Sequence, residues 1–406
     1  MKIGIYIDSL GQSVAKENAI SYATRIVKEL NYHHDKVTFD YTIEKISYNG
    51  NKTSNRITIF KKEGKLETVV YKVYEFKYGE ELTQEYEKKN ILYKNYQLFS
   101  IVFKKFPVLI KRLFLPTKGY NFRFQTFYIF SLFLIIASAI LFMIPSTIAL
   151  LSNFNVPDDV KTFITERPTL LGYAQKLKTF ASVFKPEYFV SLITLILLVI
   201  PKANVIIAKL AAEFVSAHLY LQLGHKKQDV HGYIDSLIEF ICENEEEPGI
   251  HFHTYSFGTL LAIDYLFPYG TTFSGNPAKR TEGLITIGCP YDFINSYYDK
   301  HYSERDTSTF ESKKFHWINV YSIADALASN FRNDSLKGEP DYGIAKSNIK
   351  PININYEVAN LDPTSFFNFV LLNNLKIHGM YWSNNTDGKS CLNPIYLKMV
   401  ELGMIG

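Results

Sequence analysis

Two kinds of hydrophobic pattern share this chain: short apolar runs of strand or helix period at both ends, and long charge-free stretches in the middle. Residues 2–8 form a mainly apolar run with β-branched isoleucines, and Ser9-Leu10-Gly11-Gln12 turns the chain. Ala19, Ala23, Ile26, Val27 and Leu30 then fall at helical spacing, so the chain opens as strand, tight loop and helix. The opening run is too short for a signal peptide and is broken by Asp8 where a cleavage site would have to follow. From 36 to 78 the alternation has the period of strands, most clearly over 56–60 and 69–76, with Asn49-Gly50 and Glu63-Gly64 as turn signals. A sheet with a hairpin excursion is expected there.

Residues 127–151 contain no charged side chain. A helix of that length reaches roughly 37 Å, more than the ~30 Å hydrocarbon core of a bilayer, and predicts a transmembrane span. Pro145 near its far end is tolerated in membrane helices. A second run, 188–201, reaches membrane length when continued to 208 with Lys202 snorkelling to the headgroups. Two spans form a hairpin that returns the chain to its starting side, as strands before and after it require. A buried hairpin over a soluble site is the alternative, but an uncharged run this long is uncommon in one.

Basic residues precede the first span (Lys104, Lys105, Lys111, Arg112, Lys118, Arg123) and end the second (Lys202, Lys209). The connecting loop carries Lys161, Arg167, Lys176, Lys178 and Lys185. This distribution favours an integral membrane protein whose flanking domain is cytoplasmic. Phe103, Phe106, Phe114 and Tyr120 are interleaved with the first basic group, so 100–123 reads equally as an interfacial segment on anionic lipid or as a solvated basic approach.

After residue 228 strand and helix alternate again. Ile234, Leu237, Ile238 and Ile241 share one helix face, and 243–249 closes that helix. A strand follows at 250–255, with Ser256 at its end and an apolar helix over 257–267. Further strands are expected at 283–287, 315–321 and 351–358. The pattern predicts an α/β fold with a mostly parallel sheet flanked by helices. It falls into three sections: 1–99 and 228–406 as the two parts of one domain, and 100–227 as a membrane-associated insertion.

Composition narrows the functional classes. Hydrophobic residues make up 47%, charged residues 21% and aromatics 15%, which argues against disorder and against a multi-span transporter. A net charge of +4 is too small and too local for nucleic acid. Cys242, Cys289 and Cys391 are odd in number and widely spaced, so neither a disulfide framework nor a zinc site is expected, and a reducing compartment suits them. His251 and His253 alternate on a strand without an acidic or thiol cluster beside them and read as packed core residues. His33-His34-Asp35 reads as an exposed helix end, and Cys289 as a buried strand-end cysteine. Glycine-rich phosphate loops are absent from the sequence, and the chemistry below needs no metal or cofactor.

A serine hydroxyl is a poor nucleophile near neutral pH and needs a base that reaches it unhindered. A sharp strand-to-helix turn gives that exposure, provided the residues two before and two after the serine are small. Thr254-Tyr255-Ser256-Phe257-Gly258 has this form. It resembles the nucleophile elbow of the α/β-hydrolase superfamily of serine esterases and lipases, with Thr254 where the family has glycine. The resemblance extends over about 1–85 and 228–406, and implies the order nucleophile, acid, histidine.

In that order Ser256 is the nucleophile, Asp325 in the loop after the 315–321 strand is the favoured acid, and Asp292 after the preceding strand is the alternative acid. His378, the only histidine after Asp325, is the base. By the same resemblance the N–H groups of Phe257 and Leu10 would form the oxyanion hole, with Asp8-Ser9-Leu10-Gly11 in the place of the family's His-Gly-x loop. The expected function is a membrane-anchored, cofactor-independent serine hydrolase, with the bilayer as partner and a lipid or acylated small molecule as substrate. The alternative is a catalytically silent, membrane-tethered module of the same fold; residues alone do not assign an oligomeric state.

Overall fold

A computed structural model describes residues 1–10, 18–89, 215–222, 224–298, 301–325, 327–334, 336–357, 377–382, 386 and 388–405, with single positions between 93 and 111. Its centre is one eight-stranded sheet in the order β2-β3-β4-β1-β5-β6-β7-β8. The strands are β1 (Lys2–Ile7), β2 (Thr38–Tyr48), β3 (Lys52–Glu63), β4 (Leu66–Phe76), β5 (Gly249–Tyr255), β6 (Thr281–Ile287), β7 (His316–Tyr321) and β8 (Ile352–Asn355). From β4 through β1 to β8 all neighbours pair parallel. Strands β2 and β3 add an antiparallel edge, folded back through the expected Asn49-Gly50 and Gly64 turns.

The burial of each strand follows its place. Every residue of β5 is buried, as are nearly all of β1 and β6, which is what a parallel strand covered on both faces demands. The outermost strand, β2, alternates and leaves most of its side chains exposed. Helix α1 (Ala19–His33) is capped by Asn18, whose side chain accepts from the Ser21 N–H at 2.9 Å. It lays Tyr22, Ala23, Ile26 and Leu30 on one sheet face together with Leu392 and Ile395 of the C-terminal helix at Leu392–Glu401. On the other face lie the helices at Gly224–Asn244 and Phe257–Leu266, numbered α3 and α4 in chain order after α2 (Gly79–Glu87). They contribute Ile234, Leu237, Leu260 and Leu261 to a second core with Ile3, Ile5, Ile250 and Phe252.

The histidine readings hold. His253 is fully buried between Tyr22 (Nδ1 to Oη, 2.6 Å) and Tyr71 (Nε2 to Oη, 2.8 Å), and His251 also bonds Tyr71. His33 ends α1 at the surface.

The charge-free runs at 127–151 and 188–208 lie outside the described residues, and no helix among the described residues is long and apolar enough to cross a membrane. Described residues near both ends of 100–227 reach the same pair, Tyr297 and Tyr298. Lys105 donates to the Tyr297 carbonyl and lies 3.8 Å from the centre of the Tyr298 ring, while Nδ1 of His218 bonds the Tyr298 hydroxyl at 2.6 Å. Two residues on, Tyr220 is buried in the core beside α4.

Because the central strands run parallel, their carboxyl ends share one edge of the sheet, and the loops after β1, β5, β6 and β7 all emerge there. This edge is where an open parallel sheet places its ligands.

Candidate active site

Ser256 stands at the junction of β5 and α4 with φ 52° and ψ −119°, a conformation that costs a non-glycine residue on the order of 1–3 kcal/mol. Three bonds hold it there. Its N–H donates to the Ile287 carbonyl at 2.8 Å, prolonging the β5–β6 pairing, and its own carbonyl accepts from the N–H and the hydroxyl of Thr259 at 3.0 and 2.6 Å. The turn throws the side chain clear of the sheet, and Ser256 remains partly exposed.

The small-residue rule is met unevenly. A Cβ at Gly258 would stand 2.4 Å from the Ile7 carbonyl oxygen and 2.5 Å from that of Asp8, so the loop after β1 rests directly on this glycine. Thr254 is accommodated because its hydroxyl donates across to the Ile285 carbonyl of β6 at 2.8 Å. The threonine thereby satisfies its own polar group inside the sheet.

The three candidate catalytic residues come together. Ser256 Oγ lies 2.6 Å from His378 Nε2, and His378 Nδ1 lies 2.8 Å from Asp325 Oδ2. An ionised carboxylate can only accept, so Nδ1 carries the ring proton and Nε2 is left to accept from Ser256. Asp325 and His378 are both buried. Asp325 also accepts from the Leu327 N–H at 2.9 Å, and its loop is tightened by a bond from its own N–H to the Ser322 carbonyl at 3.0 Å.

Asp292 does not join them. Its Oδ1 accepts from the Tyr342 hydroxyl at 2.7 Å, and its partly buried carboxyl is pushed up to about 6 by loss of hydration, against the lowering effect of hydrogen bonds from Tyr342 and Ser329. Cys289 is fully buried, which pushes its thiol up to about 12 and leaves it a poor nucleophile.

Three residues about His378 escaped sequence reading. Tyr255 stacks on the imidazole with ring centres 5.8 Å apart and donates its hydroxyl to the His378 carbonyl. Tyr381 donates to Asp325 Oδ2 at 2.8 Å. Gly288 adopts φ +61° after β6, and a Cβ there would come within 3.0 Å of His378 Cε1, so bare backbone packs against the ring. A tyrosine next to the nucleophile and another three residues after the base were the visible signals, but no local pattern assigns them partners 123 or 56 residues away.

For the expected oxyanion donors, Phe257 opens α4, where first-turn N–H groups have no intrahelical acceptor. Leu10 is buried in the loop that crosses Gly258. The preceding N–H, that of Ser9, is taken by Asp8 Oδ1 at 2.7 Å. Phe257 is walled by Tyr78 and Tyr220, at ring distances of 6.2 and 5.6 Å. The residue after the serine is therefore held in a buried aromatic cluster, one member of which, Tyr220, lies near the C-terminal end of 100–227 in sequence.

Among the described residues no His, Cys, Asp and Glu group could hold a metal ion. No family model, curated protein or solved structure matches the chain.

Proposed function

We propose that this chain is a serine hydrolase of the α/β-hydrolase type that cleaves an acyl ester through an acyl-enzyme. The observation that carries the reading is the continuous chain of contacts from Ser256 Oγ to His378 at 2.6 Å and from His378 to Asp325 at 2.8 Å. Strained backbone at Ser256 adds support, since strain of this kind concentrates where a side chain must be held for chemistry.

In this mechanism His378 Nε2 takes the Ser256 proton as Oγ bonds to the ester carbonyl carbon. The carbonyl oxygen becomes an oxyanion facing the N–H groups of Phe257 and Leu10. The tetrahedral species collapses, the C–O bond to the alcohol breaks, and the imidazolium returns its proton to the departing oxygen. Water, deprotonated by the same nitrogen, then attacks the acyl carbon; the bond from that carbon to Oγ breaks, the imidazolium returns the proton to Oγ, and the acid leaves with Ser256 restored. Asp325 stays ionised, holds the tautomer and stabilises the imidazolium. No step calls on a cofactor.

The substrate class follows from position. Tyr220, at the returning end of the insertion, packs on Phe257, the neighbour of Ser256. In sequence that insertion carries the charge-free runs of membrane length. The proposed site therefore lies beside one end of that insertion, which suits a lipid or acylated molecule delivered from a bilayer, on the cytoplasmic side.

A fluorophosphonate probe tests the chemistry. Wild type is expected to label covalently, and Ser256→Ala to fold and not label. Well-folded wild type that fails to label would favour a silent module of this fold.

A further inference from the structure

We infer that Tyr381 is a positioning residue for this site: its hydroxyl shares the Asp325 oxygen that binds His378 and so sets how firmly the acid holds the base. The inference rests on the serine-hydrolase reading of Ser256, His378 and Asp325.

The direction of the Tyr381 hydrogen bond is fixed by its surroundings. The hydroxyl accepts from the Ser322 N–H at 3.0 Å, which leaves its own proton for Asp325 Oδ2 at 2.8 Å. The residue is completely buried, and burial together with the Asp325 charge keeps the phenol protonated far above its ordinary range. His378 Nδ1 lies at 2.8 Å from the same oxygen, while the Leu327 N–H occupies the other. A carboxylate oxygen that already accepts one strong donor is a weaker acceptor for the next, so the phenol draws charge away from the imidazole bond.

Base and phenol also belong to one short piece of chain. They sit on a single turn closed by the Met380 N–H to the Ile377 carbonyl at 2.9 Å, and that turn is tied to the start of the C-terminal helix by the Cys391 N–H to the Tyr381 carbonyl at 2.9 Å. Their rings meet edge to face at 6.4 Å, and the Gly288 backbone lies against both. One turn therefore grips Asp325 with two arms, an imidazole that must change protonation in the reaction and a phenol that does not.

A tie that merely fastened the 377–381 turn to the loop after β7 would give the same distances, so the test must read the base itself. The second-order rate constant for fluorophosphonate labelling of Ser256 is measured between about pH 5 and pH 9 for wild type, for Tyr381→Phe and for protein carrying an ortho-fluorinated tyrosine at position 381, with thermal melting in parallel. Losing the donor concentrates charge on Asp325 and favours the imidazolium, so Tyr381→Phe is expected to label roughly tenfold more slowly near pH 7, with the rising limb of its profile at higher pH. Fluorination strengthens the phenol as a donor and is expected to move that limb to lower pH.

Opposite displacements support the inference. Coincident limbs in all three proteins, whatever their melting temperatures, overturn it and leave a structural tie. If Tyr381→Phe does not fold, the fluorinated protein decides, and an unmoved limb in it overturns the inference. Failure of folded wild type to label at any pH defeats the serine-hydrolase reading itself and is recognised before either variant is compared.

Discussion

A β-carbon at Gly258 would stand 2.4 Å from the carbonyl oxygen of Ile7. Both partners are backbone, so neither can rotate away, and the contact presses the loop carrying Leu10 against the first turn of α4. Gly258→Ala is expected to cost about 1–3 kcal/mol, the usual range for an added methyl in tight packing, and to slow labelling of Ser256 by displacing the oxyanion loop. Thr254→Gly loses the bond to the Ile285 carbonyl, worth about 1 kcal/mol, but leaves the loop in place. Urea denaturation with labelling rates checks both, and unimpaired labelling of Gly258→Ala would refute the role given to the loop.

Ser256 itself carries strain that glycine would not. At φ 52° and ψ −119°, Ser256→Gly removes a cost of about 1–3 kcal/mol and adds the extra unfolded-state entropy of glycine, about 0.5–1 kcal/mol. The variant is expected to be inert to the probe yet to melt at the wild-type temperature or above it. Ser256→Ala, which keeps the strain, should show no such gain.

Asp325 and Asp292 occupied equivalent positions in sequence, each in a loop after a late strand, and space separates them. Asp325→Asn is expected to lower labelling by roughly 10³-fold or more, because the amide no longer dictates the His378 tautomer. Asp292→Asn is expected to stay within about threefold of wild type, since its partner is Tyr342. The reverse ranking would reassign the acid.

How far the sequence could be read depended on the range of the interactions involved. Helical spacing located α1, continuous apolar runs located β1, β5 and α4, and the order implied by the family resemblance picked out Ser256, Asp325 and His378. Strand order was not legible: β4 leaves an antiparallel meander and pairs parallel with β1, a long-range pairing that no local pattern specifies. The place of Thr254 depends on the β6 carbonyl that faces it, a partner 31 residues away in sequence. Tyr255 and Tyr381 were invisible because their aromatic rings would serve a core equally well without any bond to His378 or Asp325.

Stability should respond to pH in two opposed ways. His218 and His231 are held near 4 by burial first, then by Lys105 and Lys104 at His218 and by Lys227 and Arg305 against the opposing Asp264 at His231, and buried His253 is held well below its ordinary range. Unfolded histidine binds a proton below about 6.5, so the stability these residues contribute is complete above that pH and is lost as pH falls toward 4. Asp292 acts the other way. Raised to about 6, its contribution is complete below about 3.8 and is lost as pH rises through 6, with an upper limit of about 2–3 kcal/mol. Asp292→Asn, which still accepts from Tyr342, is expected to stabilise the protein, and more at about pH 7.5 than at pH 5. Urea midpoints of the two proteins at both values measure this, and an equal gain at both would contradict the assignment.

The lipid-facing part of the proposal has its own test, because Ser256, His378 and Asp325 all lie outside the insertion in sequence. If 127–151 and 188–208 insert as read from the sequence, the protein is expected to sediment with membranes and resist alkaline carbonate. Arginine in mid-span costs about 2.5–3.5 kcal/mol each on the insertion scale. Combining Leu134→Arg, Ile140→Arg, Leu195→Arg and Leu198→Arg should therefore release the protein while Ser256 still labels. Cys242 reports the side of the membrane. It is the partly exposed thiol, whereas Cys289 and Cys391 are buried, so an impermeant maleimide should reach it only after cells are opened. Extraction of wild type by carbonate would remove the anchor from the proposal, and labelling of Cys242 in sealed cells would reverse its orientation.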